Sequence, residues 1–319
     1  MQEIRFSAEF VDAMICPVCK SHVQLLNDEF ICQGCGIRYP VVDGIPVIIN
    51  GQNSIFSVSD YLDHKETTYR RSNGLQEIVA RLVPENHASP KTVMNLKKFH
   101  DDLHKLSDRP KVLVVGGRIL GDGMEWLAGD DSIELVELDV AFGPRCSLIS
   151  DAHDIPFRDG VFDGVVAQAV LEHVLDPYRV VSEIHRVLKK DGLVFAETPF
   201  LVPVHGGAYD FTRFTALGHR RLFRAFEEIE SGVGSGPGSM LAWSYEYFLL
   251  SFAPSPFWRK VLRVFARFTS FWMPWFDFLL MNARGSLDAA SIYYFLGRRS
   301  DRILPDRELL ALFKGLSTT

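Results

Sequence analysis

DAHDIPFRDGVFDGVVAQAVLEHVLDPYRVVSEIHRVLKKDGLVFAE, residues 151–197, sets a turn, a strand, a helix and a second strand in one uninterrupted run. Arg158-Asp159-Gly160 supplies the turn, and Val161 to Ala167 is the short β-branched run of a buried strand. Pro177 to Leu188 repeats apolar residues at helical spacing. Gly192 is expected to end that helix, with Leu193 to Ala196 opening the next strand. A strand, a crossover helix and a strand within some forty residues form a βαβ unit, which requires a parallel sheet. Ligands of such sheets bind at the carboxyl ends of the strands, here Gln168 to His173 and Glu197 to Phe200.

Upstream, Val112 to Val115 reads as a strand that runs into Gly116-Gly117-Arg118-Ile119-Leu120-Gly121-Asp122-Gly123. Glycines between a strand and a helix, here Met124 to Leu127, let backbone N–H groups approach a ligand closely. The next strand, Glu134 to Leu138, ends at Asp139, about twenty residues after the glycines, where an acid can accept from both hydroxyls of a ribose. The pattern suggests a nucleoside ligand. Downstream of Glu197 come a polar and aromatic loop, a helix around Ala216 to Ala225, a strand at Glu227 to Ser231 and a last strand at Ser291 to Leu296. Between these last two strands lies an aromatic insertion in which Arg259, Arg263 and Arg267 recur every four residues. That spacing marks a basic amphipathic helix, which suits a membrane surface, a lid or a homodimer seam.

The whole chain, 319 residues with a net charge of −6 and a pI near 5.9, has the composition of a soluble globular protein. An acidic balance counts against a surface built mainly to neutralise phosphates, so nucleic acid ranks below other partners. No secretory signal opens the sequence and no stretch reaches a membrane-spanning length, so a cytoplasmic location is expected, with contact to the inner face of a membrane left open. Four of the five cysteines form two pairs, Cys16/Cys19 and Cys32/Cys35, with twelve residues between the pairs. Such knuckles close a tetrahedral thiolate site for structural zinc, leaving the ion no open position. Cys146 reads as a small buried hydrophobe. Glu29 to Ile31 and Arg38 to Ile49 read as strands of the zinc module, and Gly51 to Ser59 as a polar linker. Tyr61 to His104 reads as mostly helical, broken near Pro84 to Pro90.

Taken together these residues resemble the class I S-adenosylmethionine-dependent methyltransferases, in particular the methyltransferase type 11 group, over roughly residues 110 to 230. Asp151-Ala152 with Ile155-Pro156-Phe157, Leu171-Glu172-His173-Val174 and Arg186 to Gly192 carry the resemblance. It implies an α/β, Rossmann-like sheet of seven strands whose last strand is antiparallel and inserted beside the sixth. It further implies that Gly116, Gly117 and Gly121 face the methionine and ribose side of the cofactor and that Asp139 holds the ribose. Asp151 and Ala152 would meet the adenine edge, and Gln168 would join the same cofactor set. Val114 stands where the family usually has an acid, and Arg118 where a third close glycine is common. The N-terminal module is similar to the small zinc-ribbon activator of tRNA, rRNA and release-factor methyltransferases, over Cys16-Pro-Val-Cys19-Lys20, Cys32 to Cys35 and Tyr39 to Pro46. The implied organisation is a zinc ribbon at 1–50, a linker and lead-in helices at 51–108 and a methyltransferase domain at 109–319 with a helical aromatic insertion at 236–289.

Methyl transfer from a sulfonium needs nucleophile, methyl carbon and sulfur held in line and shielded from water. A hydroxyl or acidic-carbon acceptor also needs a base. His173 and His205 are the candidate bases, each with a packing or capping role as its plainer reading, and Tyr209, Asp210 and Arg213 are candidates for shaping the acceptor site. Methyltransferases acting on planar nitrogens commonly carry Asn/Asp-Pro-Pro-Tyr where this chain has Gln168-Ala169-Val170-Leu171. The expected acceptor is therefore a small molecule, a glycan or a lipid-linked compound methylated on oxygen or carbon. The alternatives are an RNA methyltransferase with a built-in activator and an inactive scaffold that keeps the fold.

Overall fold

The computed structural model describes residues 4–65 and 90–316. The break expected near Pro84 to Pro90 falls almost entirely outside them. The N-terminal part holds helix α1 (Ala8–Ala13) and a four-stranded antiparallel sheet of β1 (Val23–Leu26), β2 (Glu29–Cys32), β3 (Arg38–Val42) and β4 (Ile45–Pro46). Helix α2 (Val58–Leu62) and helix α3 (Pro90–Leu103) stand before the main sheet.

That sheet comprises β5 (Lys111–Val115), β6 (Glu134–Asp139), β7 (Leu148–Ile149), β8 (Phe162–Gln168), β9 (Leu188–Pro199), β10 (Phe226–Ser235) and β11 (Ile292–Arg299). Its order is β10-β11-β9-β8-β5-β6-β7, with β11 antiparallel to both neighbours and the other pairings parallel. The late strand therefore inserts beside the sixth, as the resemblance implied. Side chains alternate across the pleat: Leu113 and Val115 join one core, while Val112 and Val114 join another with Leu96, Phe99 and Leu103 of α3. Gly164 in β8 makes that second contact possible, since a Cβ there would lie 2.7 Å from Leu103 and 2.8 Å from Phe99.

Between β8 and β9 runs α4 (Pro177–Val187), started by the Asp176 side chain accepting from Arg179 N at 3.1 Å and by Pro177 in the first turn. Its apolar stripe, Val180, Val181, Ile184 and Val187, is buried against the sheet. The helix stops at Val187, not at Gly192. Leu188 already pairs with Phe162, the register then shifts, and Asp191 takes a left-handed φ of +64° before Gly192. The glycine sits inside an irregular strand start, which local spacing alone does not separate from a helix end.

The N-terminal sheet is docked on the main one through backbone pairing. Ile15 N donates to Pro156 O at 3.0 Å, Ile48 N to Ile149 O at 2.8 Å, and Val47 forms a parallel bridge with Ile149 at the exposed side of edge strand β7. Phe10 stacks on Phe162 with ring centroids 5.5 Å apart, so the two sheets share a core. Within residues 50–56 three side chains are anchored, while Gly51, Gln52, Asn53 and Ile55 stay exposed. Asn50 donates to Asp154 at 2.9 Å, Ser54 donates to Asp151 at 2.6 Å, and Phe56 is buried. Of the linker expected at Gly51 to Ser59, Ser54 finds a partner about a hundred residues away, as does Asn50 just before it.

After β10, helix α5 (Pro237–Leu250) and helix α6 (Pro256–Ser270) form the insertion. The expected basic face is divided. Glu246, 1% exposed, binds Arg263 Nε at 3.1 Å and Arg267 Nε at 2.9 Å, while Arg259 is exposed. Among the described residues no helix is long and apolar enough to cross a membrane.

Candidate functional site

A cavity of about 480 Å³ opens at the carboxyl ends of β5, β6 and β8, a size that suits a nucleoside-bearing ligand. Gly116, Gly121, Asp139, Asp151, Ala152 and Gln168 line it. His173 and Tyr209 line it as well, and Ile55 and Phe56 contribute an apolar wall. Gly117 stands apart from this lining, since its Cβ position faces Glu137 of β6 at 2.8 Å. A second cavity of about 470 Å³, by Arg220 and Tyr293, lies away from the strand ends that form the first.

Gly116 has φ +77°, and a Cβ there would lie 2.2 Å from Val170 Cγ2, so glycine is needed both for the turn and for the close approach of the loop after β8. Ala169, in that loop, also has a positive φ of 52°, an uncommon conformation for alanine. Asp139 ends β6 with its carboxylate accepting from Arg118 N at 3.1 Å and Ala141 N at 2.9 Å. Each oxygen keeps further acceptor capacity for a ligand hydroxyl, and burial pushes the carboxyl above its ordinary range. Asp151 is held differently. His153 Nε2 accepts from Asp176 N at 3.0 Å, so Nδ1 carries the proton and donates to Asp151 Oδ1 at 2.5 Å. Burial works against the Asp151 carboxylate, but hydrogen bonds from His153 and Ser54 outweigh it and hold the group below its usual value.

Gln168 donates to Glu197 Oε2 at 2.9 Å and to Asp122 O at 3.2 Å, bridging β8, β9 and the glycine loop. Glu197, buried and also accepting from Thr92 Oγ1 at 2.5 Å, is pushed up to about 7 by burial. Nothing in the local pattern around Glu197 marks it as more than the end of a strand.

The loop after β9 bends back over the cavity mouth. His173 Nδ1 lies 2.6 Å from Tyr209 O, and its ring meets that of His205 edge-on with centroids 5.0 Å apart. Gly206 permits this, because a Cβ there would fall 2.5 Å from His173 Cε1. Tyr209 stacks on Phe56 at 6.0 Å. Asp210 accepts from His205 N at 2.9 Å and Gly206 N at 3.2 Å and pairs with Arg213, which also donates to Val202 O at 3.1 Å. Asp210 and Arg213 therefore brace the loop, and neither they nor His205 line the cavity. Burial opposes the Asp210 charge, but Arg213 holds the carboxyl well below the usual range. Glu172, fully buried, sits behind both histidines, a placement its surface-like neighbours His173 and Asp176 do not announce. His205 is held above its usual value, first by Glu172, against the effect of burial.

Cys16, Cys19, Cys32 and Cys35 converge, with Cys16 and Cys35 sulfurs 3.7 Å apart and Cys19 and Cys32 sulfurs 3.3 Å apart. Four thiolates about 2.3 Å from one ion at tetrahedral angles lie about 3.8 Å from each other, so the cluster is close to the size zinc requires. Gly34 N and Cys35 N both point at Cys32 Sγ at 3.4 Å, and the buried Tyr39 hydroxyl lies 3.1 Å from Cys16 Sγ. These donors would stabilise thiolate charge. Cys146 is fully buried and is not part of this set.

Residues 124–196 match the family described as methyltransferase domain, and residues 9–44 match that described as Trm112p-like protein. The UPF0434 protein of Ectopseudomonas mendocina (strain ymp) is 37% identical over 57 residues, 17% of this chain and 93% of that protein. The UPF0434 protein of Pseudomonas savastanoi pv. phaseolicola (strain 1448A / Race 6) is 39% identical over the same lengths. Among solved structures, geranyl diphosphate C-methyltransferase from Streptomyces coelicolor A3(2) is 14% identical with a TM-score of 0.40, over 65% of this chain and 75% of that one. Phosphoethanolamine N-methyltransferase 2 of Haemonchus contortus is 16% identical with a TM-score of 0.42, over 68% and 55%. Likeness of this degree says nothing about the acceptor.

Proposed function

This chain belongs to the S-adenosylmethionine-dependent class I methyltransferases and carries a Trm112p-like zinc-ribbon region at its N-terminus, and from that premise we propose that it methylates a lipid-linked acceptor on oxygen or carbon at a membrane surface. The cofactor reading rests on the cavity. Asp139 takes the ribose hydroxyls, Asp151 and Ala152 border the adenine, and Gly116, Gly121 and Gln168 border the methionine end. The buried Phe56 and the neighbouring Ile55 give that cavity an apolar wall, which helps shield an in-line displacement at a sulfonium.

The observation that carries the acceptor reading is the outer face of the insertion. Phe257, Val261, Phe265, Phe268, Trp272 and Trp275 follow one another at helical spacing and are all exposed, Phe257 at 68% and Trp275 at 63%. Between the buried Glu246 and the buried Asp277 the sequence has no acid and four cations, Arg259, Lys260, Arg263 and Arg267. With Arg263 and Arg267 held by Glu246, Arg259 and Lys260 give this aromatic face a positive margin that complements an anionic bilayer. Tyr247 of α5 donates to Val204 O at 3.0 Å, which ties the insertion to the loop bearing His205 at the cavity mouth. A lipid held at this face would approach the cavity by way of that loop.

The test supplies methyl-tritiated S-adenosylmethionine and a total lipid extract, with flotation of the protein on phosphatidylglycerol vesicles at low and high salt. Label in the organic phase and salt-sensitive flotation, both reduced by Phe265→Ser with Phe268→Ser, are expected. Label confined to RNA or to water-soluble acceptors, or a chain that stays unfloated and elutes as a dimer, would overturn the membrane reading.

A further inference from the structure

Behind the cavity mouth two imidazoles and a carboxylate face one another with no hydrogen bond between them. Glu172 is fully buried and neither of its side-chain oxygens has a hydrogen-bond partner. Its Oε1 lies 3.6 Å from His173 Nε2 and 3.7 Å from His205 Nε2. The other nitrogen of each ring is turned to a carbonyl: His173 Nδ1 to Tyr209 O at 2.6 Å, and His205 Nδ1 to Pro203 O at 3.3 Å. A carbonyl only accepts, so each Nδ1 carries a proton, and each ring in its neutral form presents an Nε2 lone pair to the carboxylate. Three lone-pair donors thus converge on one point inside the protein. With both rings neutral this arrangement is repulsive, and the buried carboxylate calls for a positive charge that either a bound ion or a protonated ring would supply.

We propose that Glu172, His173 and His205 bind a divalent transition-metal ion beside the cofactor cavity. Ligand atoms about 2.1 Å from one ion lie roughly 3.4 Å apart at tetrahedral angles, and the two gaps to Glu172 are 3.6 and 3.7 Å. Two imidazoles and one carboxylate suit zinc, iron or manganese better than magnesium or calcium, which prefer all-oxygen sites. The Nδ1–H bonds to backbone carbonyls fix the tautomer and ring orientation, as outer partners of metal-binding histidines do. Gly206 contributes by letting the His205 loop close on His173. Three protein ligands leave coordination positions open, and His173 lines the cavity from which an acceptor would reach them.

The contrast with a second cluster is instructive. His100, His104 and Asp130 also lie within metal-binding reach, but there the histidines bond Asp130 Oδ2 directly at 2.8 and 2.9 Å, and Ser132 donates twice to Oδ1. That carboxylate is satisfied, whereas Glu172 is not.

The chemical role rests on the hydroxyl acceptor proposed above. An acceptor hydroxyl coordinated at the open positions loses its proton to solvent, because a bound divalent ion lowers the pKa of an attached O–H. Its oxygen then attacks the sulfonium methyl; the C–O bond forms as the C–S bond breaks, and the electron pair stays on sulfur, giving neutral S-adenosylhomocysteine.

The test measures zinc per chain by mass spectrometry after the full-length protein is equilibrated with zinc chloride and desalted, alongside calorimetric binding of S-adenosylmethionine. His205→Ala and Glu172→Gln are expected to hold one zinc fewer per chain than the wild type. His205 lies on the loop outside the cavity lining, so that variant keeps its cofactor affinity and shows that the fold is intact. Equal zinc in the wild type and in a His205→Ala protein that still binds the cofactor would overturn the site and show that protonated rings alone close the cluster. A one-zinc difference in a protein that binds no S-adenosylmethionine would leave the metal site standing and sink the methyl-transfer reading.

Discussion

Replacing Glu197 by glutamine isolates the cost of a charge buried under the cofactor cavity. The carboxyl is fully buried, and burial moves it from an ordinary 4.5 to about 7 despite hydrogen bonds from Thr92 and Gln168. The folded protein therefore holds this proton over a range in which the unfolded chain has released it. Stability contributed by the neutral carboxyl is complete below pH 4.5, declines as pH rises and is lost above about 7. At about 1.4 kcal/mol for each tenfold change in proton affinity, the ionised form costs about 3 kcal/mol at pH 8. Glutamine keeps the shape and removes the titration. In Glu197→Gln the wild-type loss between pH 5 and 8 should vanish from the difference between the two melting curves. The variant should match the wild type near pH 5 and melt at least about 5 °C higher at pH 8. Differential scanning fluorimetry across that range suffices, since other titrating groups cancel in the comparison. A variant that is less stable at pH 8, or a difference that does not change with pH, would refute the burial argument.

Asp139→Ala should weaken S-adenosylmethionine binding by about 10- to 100-fold in calorimetry, the loss of charge-assisted hydrogen bonds to two hydroxyls, with the circular dichroism spectrum unchanged. Cys16→Ser should release the ribbon's zinc and also lower cofactor affinity, because Ser54 and Phe56 follow directly on the ribbon; unchanged affinity in a zinc-free ribbon would separate the two. Glu246→Ala should destabilise the insertion by about 1 to 2 kcal/mol, less than a fully buried pair because Arg263 is 44% exposed, and it should show as faster proteolytic cleavage within the insertion.

The parallel sheet was legible because its strands are short β-branched runs punctuated by turn residues, and Asp139 because it closes such a run at a fixed remove from Gly116. The ribbon's four ligands follow from their spacing alone. The rest lies in contacts that spacing does not carry. Ile55 and Phe56 wall the cavity although their polar neighbours suggested a linker, and the bonds that fix the segment reach to Asp151 and Asp154. The apparent basic stripe of α6 loses Arg263 and Arg267 to Glu246, a residue of the preceding helix. Glu172 reads as an ordinary acid beside a histidine, and only the fold reveals that it is buried between two rings.

The bridge from Val47 to Ile149 bears on how the chain reaches its native state. An open edge strand is a template for pairing with other molecules, and β7 carries just such an edge. Were the ribbon a separate subunit, that edge would stay bare until a partner arrived, and its protection would depend on partner concentration. Here the capping segment is synthesised about a hundred residues before the strand it protects, so it is already tethered nearby when β7 forms. Edge protection thereby becomes a first-order event, independent of how dilute the protein is.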